Sequence, residues 1–217
     1  MTSRIFSTQA SSTIERDTLA LLNTESDFLT PSTLESTRAA GDAIQSILAE
    51  KFESILGIWV SEYSTDFARR AMADLAFKDI DGYYYIIDVK SHRVSTKFNM
   101  PNLTSVERLA RLYEDDMNYF VLLMVQYDLQ GAQAEFSAVY FVPIEFLSWD
   151  CLTVGALGWG QIQIVNSNNV IVDRQSSRKQ WMLQLCEVML EFYPEEIEKI
   201  GGRVRRFEEI KAYWLDK

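Results

Sequence analysis

Apolar and polar positions along the chain follow two periods in turn. Ala39, Ala40, Ala43, Ile44, Ile47, Leu48 and Phe52 recur at helical spacing to about Leu56. Pro31-Ser-Thr-Leu-Glu ahead of them supplies Ser32 or Thr33 as an N-cap, so a long amphipathic helix is predicted. Gly57 to Tyr63 alternates like a strand, and Ala71 to Lys78 followed by Gly82 to Ser91 reads as a hairpin. A polar loop through Asn99-Met100-Pro101 leads to a helix from about Asn102 to Met117. Tyr119 to Tyr127 and Ala134 to Val142 are strands around a Gln130-Gly131 turn, and Pro143 to Leu147 is a short helix. The glycine-bearing segment Val154 to Gly160 precedes an alternating strand, Gln161 to Val165. Two helices close the chain, Arg178 to Phe192 and Pro194 to Trp214, the second interrupted at Gly201-Gly202. This order predicts a mixed α/β fold with a central sheet covered by helices.

Length and composition narrow the class. At 217 residues with 47% hydrophobic content the chain can bury a sizeable core, and it reads as one domain with residues 1–30 as an N-terminal arm, irregular or associated with a dimer. The first residues lack the apolar core of a signal peptide, and no run approaches the roughly 18 apolar residues that span a bilayer, so a cytoplasmic protein is expected. Cys151 and Cys186 form no C-x-x-C pair and are expected as buried, reduced thiols. A net charge of -10 counts against nucleic acid as a partner unless the basic residues cluster. They do, at Arg69-Arg70, at Lys90, Arg93 and Lys97 with His92, at Arg108 and Arg111, at Arg174, Arg178 and Lys179, and at Arg203, Arg205 and Arg206. A locally positive cleft can coexist with an acidic exterior.

The chemistry concentrates at the end of the hairpin. YYYIIDVK is apolar enough to be buried on both faces, yet it ends in Asp88 and Lys90, residue types almost never fully buried without a partner. The two lie on one side of the strand. Whether Asp74 joins them depends on the turn. A two-residue loop at Asp81-Gly82 pairs Asp74 with Val89, whereas a three-residue loop, Ile80-Asp81-Gly82, with left-handed Gly82, pairs it with Asp88. The second register sets two carboxylates and a lysine on one spot. Adjacent carboxylates repel unless a cation lies between them, and hard oxygen ligands suit magnesium. Lys90 beside the metal water could orient it and stabilise charge developing on a phosphate, which points to phosphodiester hydrolysis. The competing explanation is a solvated strand end.

Ala73-Asp74, a hairpin and Asp88-Val89-Lys90 resemble the signature of the PD-(D/E)XK nucleases, with Ala73 where proline is usual. DVKSHRVSTKFNMPNLTSVERLARL is similar to the corresponding segment of the HincII-like type II restriction endonucleases, which cut bluntly. RAAGDAIQSILAEKFE resembles their early helix, GWGQIQI their DNA-reading loop and strand, and SSRKQW the start of a later helix. The blocks keep the same order over roughly residues 35 to 200, and the glycine-bearing loop differs most.

The resemblance implies a restriction-endonuclease-like sheet flanked by helices. It further implies Mg2+-dependent cleavage of double-stranded DNA at a short palindrome by a homodimer, with blunt ends, 5'-phosphates and no nucleotide cofactor. Asp74 and Asp88 are then the metal carboxylates, Val89 contributes its carbonyl, and Lys90 is the catalytic lysine. An acid on the early helix often supports such sites; here Gln45 stands where it is expected, and Asp42 reads as an exposed first-turn acid. Ser91 to Asn102 should follow the phosphates, with Arg93 and Lys97 as electrostatic contacts, Asn102 matching the family's Pro-Asn, and His92 on a phosphate or in solvent. The side chain that wedges between bases falls on Asn99, beside Met100, which is slim and adaptable enough for that role or packs under Pro101. Gly155 to Gln161 is expected in the major groove, with Gln161 or Gln163 on base edges and Trp159 as base reader or loop anchor. Other tasks for the same residues are a repair or junction nuclease and a non-catalytic DNA-binding module.

Overall fold

The computed structural model describes residues 2–25, 36–63, 73–130 and 133–217. The sequence-predicted caps Ser32 and Thr33, the basic pair Arg69-Arg70, Ala71 at the start of the hairpin and Gly131 of the later turn lie outside them. The described residues gather into two compact units, Met1–Asp173 and Arg174–Lys217, a boundary that no composition shift marks.

In the first unit, helices α1 (Arg4–Ser7), α2 (Ala10–Thr24) and α3 (Thr37–Leu56) precede strand β1 (Val60–Tyr63). The arm expected as irregular is therefore largely helical. Ile5, Ala10, Ile14 and Leu22 of these helices are buried, and that burial holds a segment whose sequence carries few start signals. Ser36 caps α3 by accepting the Ala39 N–H, and Gly57, at φ +53°, ends it. Every fourth residue of α3 from Ala40 through Ile44, Leu48 and Phe52 to Leu56 is buried.

The main sheet continues with β2 (Leu75–Asp79) and β3 (Tyr84–Arg93), and after β4 (Asn102–Ser105) and helix α4 (Val106–Leu112) with β5 (Asn118–Gln130) and β6 (Gln133–Pro143). Its strand order is β1-β2-β3-β5-β6. β3 and β5 run parallel at the centre and the other neighbours are antiparallel. The fold is thus mixed α/β, as the element order predicts, with α3 packed on β3 and α2 on β6. Tyr85 stacks between Phe77 at 4.4 Å and Tyr119 at 5.5 Å, in a core that includes Phe120 and Phe141. A second sheet of order β4-β8-β7 is made with β7 (Leu152–Gly155) and β8 (Gln161–Ile164).

Four sequence expectations change. The helix predicted from Asn102 begins only at Val106, because Asn102–Ser105 pairs with β8 and Ser105 caps the helix by accepting the Arg108 N–H. The strand predicted from Gly57 opens with a 3-10 turn, Gly57–Trp59, and the Pro143 helix is likewise a 3-10 turn, Ile144–Phe146. The two closing helices are one, α5 (Arg178–Leu215), with Pro194 inside it. No helix among the described residues is long and apolar enough to cross a membrane.

Candidate active site

The β2–β3 turn sets the geometry. The buried Asp79 carboxylate accepts the backbone N–H groups of Asp81 and Tyr83, both at 2.9 Å, and the Tyr85 hydroxyl at 2.6 Å. Outside the turn, Arg4 grips Asp81 with two hydrogen bonds of 2.6 Å. Asp79 N–H donates to the Tyr83 carbonyl and Gly82 N–H to the Asp79 carbonyl, with Gly82 at φ +86°. This is the three-residue loop with a left-handed glycine. It fixes the pairs Lys78 with Tyr84 and Leu75 with Ile87. The expected Asp74–Asp88 pair is not formed: Asp74 lies just before β2 and donates its N–H to the Ile87 carbonyl at 3.1 Å, so that two successive residues meet Ile87, as in a bulge, and the Asp74 side chain turns to the Asp88–Val89 end of β3.

Asp74 is held at both oxygens. Oδ1 accepts from Gln45 Nε2 at 2.6 Å, and Oδ2 accepts from the Val89 N–H at 2.7 Å. A strand residue's N–H and C=O leave on the same edge, so the Val89 carbonyl lies on the edge that Asp74 occupies. Lys90 Nζ donates to Asp88 Oδ1 at 2.7 Å, with side chains 25% and 17% exposed. Asp88 and Lys90 therefore partner each other. Asp88 Oδ2 is buried with no hydrogen-bond partner. Burial pushes the Asp88 carboxyl up to about 7; Lys90 and Arg108 pull it down and Asp74 pushes it further up. Burial lowers the Arg108 guanidinium, while Asp88 and Asp74 oppose that shift, so Arg108 on α4 is a second cation of the site. No motif pointed to it.

Among the described residues, no three His, Cys, Asp or Glu side chains gather as a metal site. Two carboxylates and a backbone carbonyl, completed by water, still suit magnesium, which takes few protein ligands and keeps several waters. The orphaned, buried Oδ2 of Asp88 is the atom that fits such an ion best. Gln45 completes the cluster from α3, in the position where the family's acid was sought. The signal for it was its place next to buried Ile44 on the helix, and Asp42, as expected, is exposed. Replacing Gln45 by glutamate turns the 2.6 Å attraction into repulsion. In EDTA this variant is expected to lose a charge-assisted hydrogen bond, ~1.5–3 kcal/mol or roughly 3–12 °C of melting temperature. Millimolar Mg2+ should narrow the deficit, because the added oxygen is a hard ligand. Equal melts for the variant and the wild type in EDTA would remove Gln45 from the site.

Beside Lys90 lies a cavity of about 460 Å³, walled by Arg38, Gly41 and Gln45 of α3, by Val89 to Arg93, and by Phe98 and Asn99. Gly41 allows the close approach of helix and strand: a Cβ there would meet Ser91 Oγ at 2.8 Å. The loop after β3 departs from expectation at several residues. His92, expected on a phosphate or in solvent, is buried, its Nε2 2.8 Å from Asn168 Oδ1. By alternation it shares the Asp88 and Lys90 side of β3, and Asn168 meets it there. Arg93 is drawn to Asp128 at 3.3 Å, which diminishes it as a phosphate contact. Asn99 is held through its side chain by Ser167 Oγ at 3.4 Å, whereas Lys97, Phe98 and Met100 are exposed. The free end of the loop is therefore Phe98 and Met100, and sequence reasoning passed over Phe98.

The second sheet assembles the remaining candidates. Ile162 and Ile164 are buried, so Gln161 and Gln163 share the opposite face of β8. Gln163 Nε2 donates to Asn102 Oδ1 at 2.5 Å, and a Cβ on Gly155 would come within 2.7 Å of Gln163 Oε1. Asn102, Gly155 and Gln163 thus form one polar spot across three strands. Trp159 and Leu157 stand exposed at the tip of the β7–β8 turn, between Gly155 and the left-handed Gly158 and Gly160. Cys151 is buried as expected, but Cys186, in α5, is exposed. Compared with family models and with curated proteins, the chain matches none of either.

Proposed function

We propose that the protein is a Mg2+-dependent endonuclease that hydrolyses double-stranded DNA at a short palindrome, acting as a homodimer like the type II restriction endonucleases it resembles and leaving blunt ends with 5'-phosphates. The observation that carries this is the Asp74 carboxylate bonded to the Val89 N–H next to Asp88, with Lys90 bonded to one Asp88 oxygen and the other oxygen buried and unpartnered. A solvated strand end would leave that oxygen in water. Asp74, Asp88 and the Val89 carbonyl would hold the magnesium, which when bound supplies a water of lowered pKa and offsets phosphate charge. Gln45 and the Val89 N–H orient Asp74 so that its carboxylate does not turn away. Lys90 pulls the Asp88 carboxyl toward its ionised form and presents its ammonium to the attacking water and the phosphate oxygens, the charge stabilisation that a preorganised cation provides best. Arg108 adds positive charge from the α4 side.

Recognition is assigned to the outward face of β8, where Gln161 and Gln163 offer amide donors and acceptors to base edges, with Gly155 leaving room for Gln163. Trp159 at the turn tip and Met100 with Phe98 on the β3–β4 loop are the exposed groups able to meet the grooves. Several of the basic clusters are spent on neighbours, as in Arg111 with Glu107 at 2.6 Å and Arg206 with Glu209 at 3.0 Å, so phosphate affinity falls on fewer residues than a count suggests.

The test is digestion of sequenced plasmid DNA with the purified protein and Mg2+, followed by mapping of the ends. Discrete fragments bearing one palindrome at every end are expected, with none in EDTA. Random ends would replace restriction with a repair-type nuclease, and absence of cleavage with retained binding would leave a DNA-binding module.

A further inference from the structure

We infer that α5 is one strand of a parallel, in-register, two-stranded coiled coil formed with a second copy of this chain. The helix is 38 residues long, about 57 Å at 1.5 Å per residue. An exposed apolar stripe runs along it in alternating steps of three and four. One set of heptad positions, the a positions, holds Leu183, Leu190, Ile197, Val204 and Lys211. The other set, the d positions, holds Cys186, Tyr193, Ile200, Phe207 and Trp214. The spacing passes through Pro194 and Gly201-Gly202 without a change of phase. A repeat of 3.5 residues keeps one seam facing a partner helix over many turns, which no contact with a curved domain surface requires.

The seam lies open. Leu190 is 71% exposed, Ile197 70%, Phe207 70% and Trp214 68%. A contiguous apolar strip of this length marks an interaction surface. Between Ile200, Val204 and Phe207 the helix face carries a groove of about 420 Å³, bordered by Arg203 and Glu208.

The flanking charges identify the occupant. Arg203 is at position g and Glu208 at position e of the next heptad, and a parallel dimer brings g of one helix against that e of the other. Each copy thus offers both halves of two equivalent ion pairs. Among the described residues neither has a salt bridge within its own chain, whereas Arg206 and Glu209, off the seam, pair at 3.0 Å. The single polar a residue, Lys211, sets the register. In that register Cys186, exposed and free, faces its own counterpart, while Cys151 is buried. The inference deepens the palindromic-cleavage reading, on which it rests only for placing two active sites in one assembly.

Light scattering of the full-length protein at micromolar concentration tests it. A dimer is expected for the wild type. Phe207→Glu should raise the dissociation constant more than roughly 100-fold by placing a charge in the seam. Glu208→Arg, on the exposed rim, should weaken the dimer by setting like charges together, and Arg203→Glu combined with Glu208→Arg should restore it, so the test survives if Phe207→Glu fails to fold. Mild oxidation should cross-link the wild type through Cys186 and leave Cys186→Ser uncross-linked. A monomeric wild type, or a dimer indifferent to both Phe207→Glu and Glu208→Arg, overturns the coiled coil. The readout is mass rather than cleavage: a dimer of this behaviour that cuts no DNA sinks the nuclease proposal alone, and a nuclease that dimerises but is indifferent to both Phe207→Glu and Glu208→Arg sinks the coiled coil alone.

Discussion

Replacing Lys90 by alanine is expected to slow DNA cleavage by roughly 100-fold to 10,000-fold, the range for loss of a positioned proton-transfer or charge-stabilising group. The fold should survive. Breaking a buried pair by removing one partner usually costs about 3–5 kcal/mol because a bare charge is left behind. Here the bare charge has an escape: burial already holds the Asp88 carboxyl up to about 7, and loss of the Lys90 ammonium, which pulls it down, moves it higher still. At neutral pH the carboxyl then takes a proton instead of remaining ionised. Cleavage of plasmid under enzyme excess and a thermal melt in parallel check both halves. Lys90→Met, which keeps the stem's packing, serves if the alanine variant is unstable. Cleavage within roughly tenfold of the wild type, equivalent to under 1.4 kcal/mol of barrier, would take Lys90 out of the chemistry.

Asp88→Asn is expected to act in two directions at once, abolishing Mg2+-dependent cleavage and stabilising the metal-free fold. The carboxyl is raised from 3.8 to about 7, chiefly by burial, so the folded chain binds its proton more tightly than the unfolded chain does. That contribution to stability is complete below the unfolded value, near pH 3.8, and is lost as pH rises through 7. Above 7 the folded protein carries the cost of an ionised, buried carboxylate, about 4 kcal/mol at 1.36 kcal/mol per pK unit. Asparagine has the same shape and no such cost. Melts in EDTA should therefore show the variant on the order of 10 °C more stable at pH 8 and nearly equal to the wild type at pH 4. Mg2+ should close the gap at pH 8 by raising the wild type alone. A difference independent of pH between 4 and 8 would mean that Asp88 is hydrated, and with it would go the argument for an oxygen reserved for a cation.

The meeting of the Asp74 carboxylate with the Asp88–Val89 end of β3 marks where local information ended. The chain announced a turn at Asp81-Gly82, and both loop lengths were open. The choice was made by the Asp79 side chain, which accepts the N–H groups of Asp81 and Tyr83 and so closes a three-residue loop. A shift by one residue would have aimed Asp74 at the opposite face.

What the sequence determined by itself was periodicity and its consequences: α3 with its buried stripe, the central apolar strand, Asp88 and Lys90 on one side of it, and Gln161 and Gln163 on one face of β8. These follow from backbone geometry, which repeats every 3.6 or every 2 residues whatever the neighbours are. Only the tertiary structure decided which groups meet. Gln45 reaches Asp74 from a helix 29 residues earlier, Arg93 is taken by Asp128, and His92 turns inward to Asn168. The same holds for Asn102–Ser105, which reads as the start of a helix and becomes a strand because β8 offers it a ladder. A polar side chain's identity states which bonds it can make, but burial and the approach of distant elements choose among them, because an unpaired polar group is costly only where water cannot reach it.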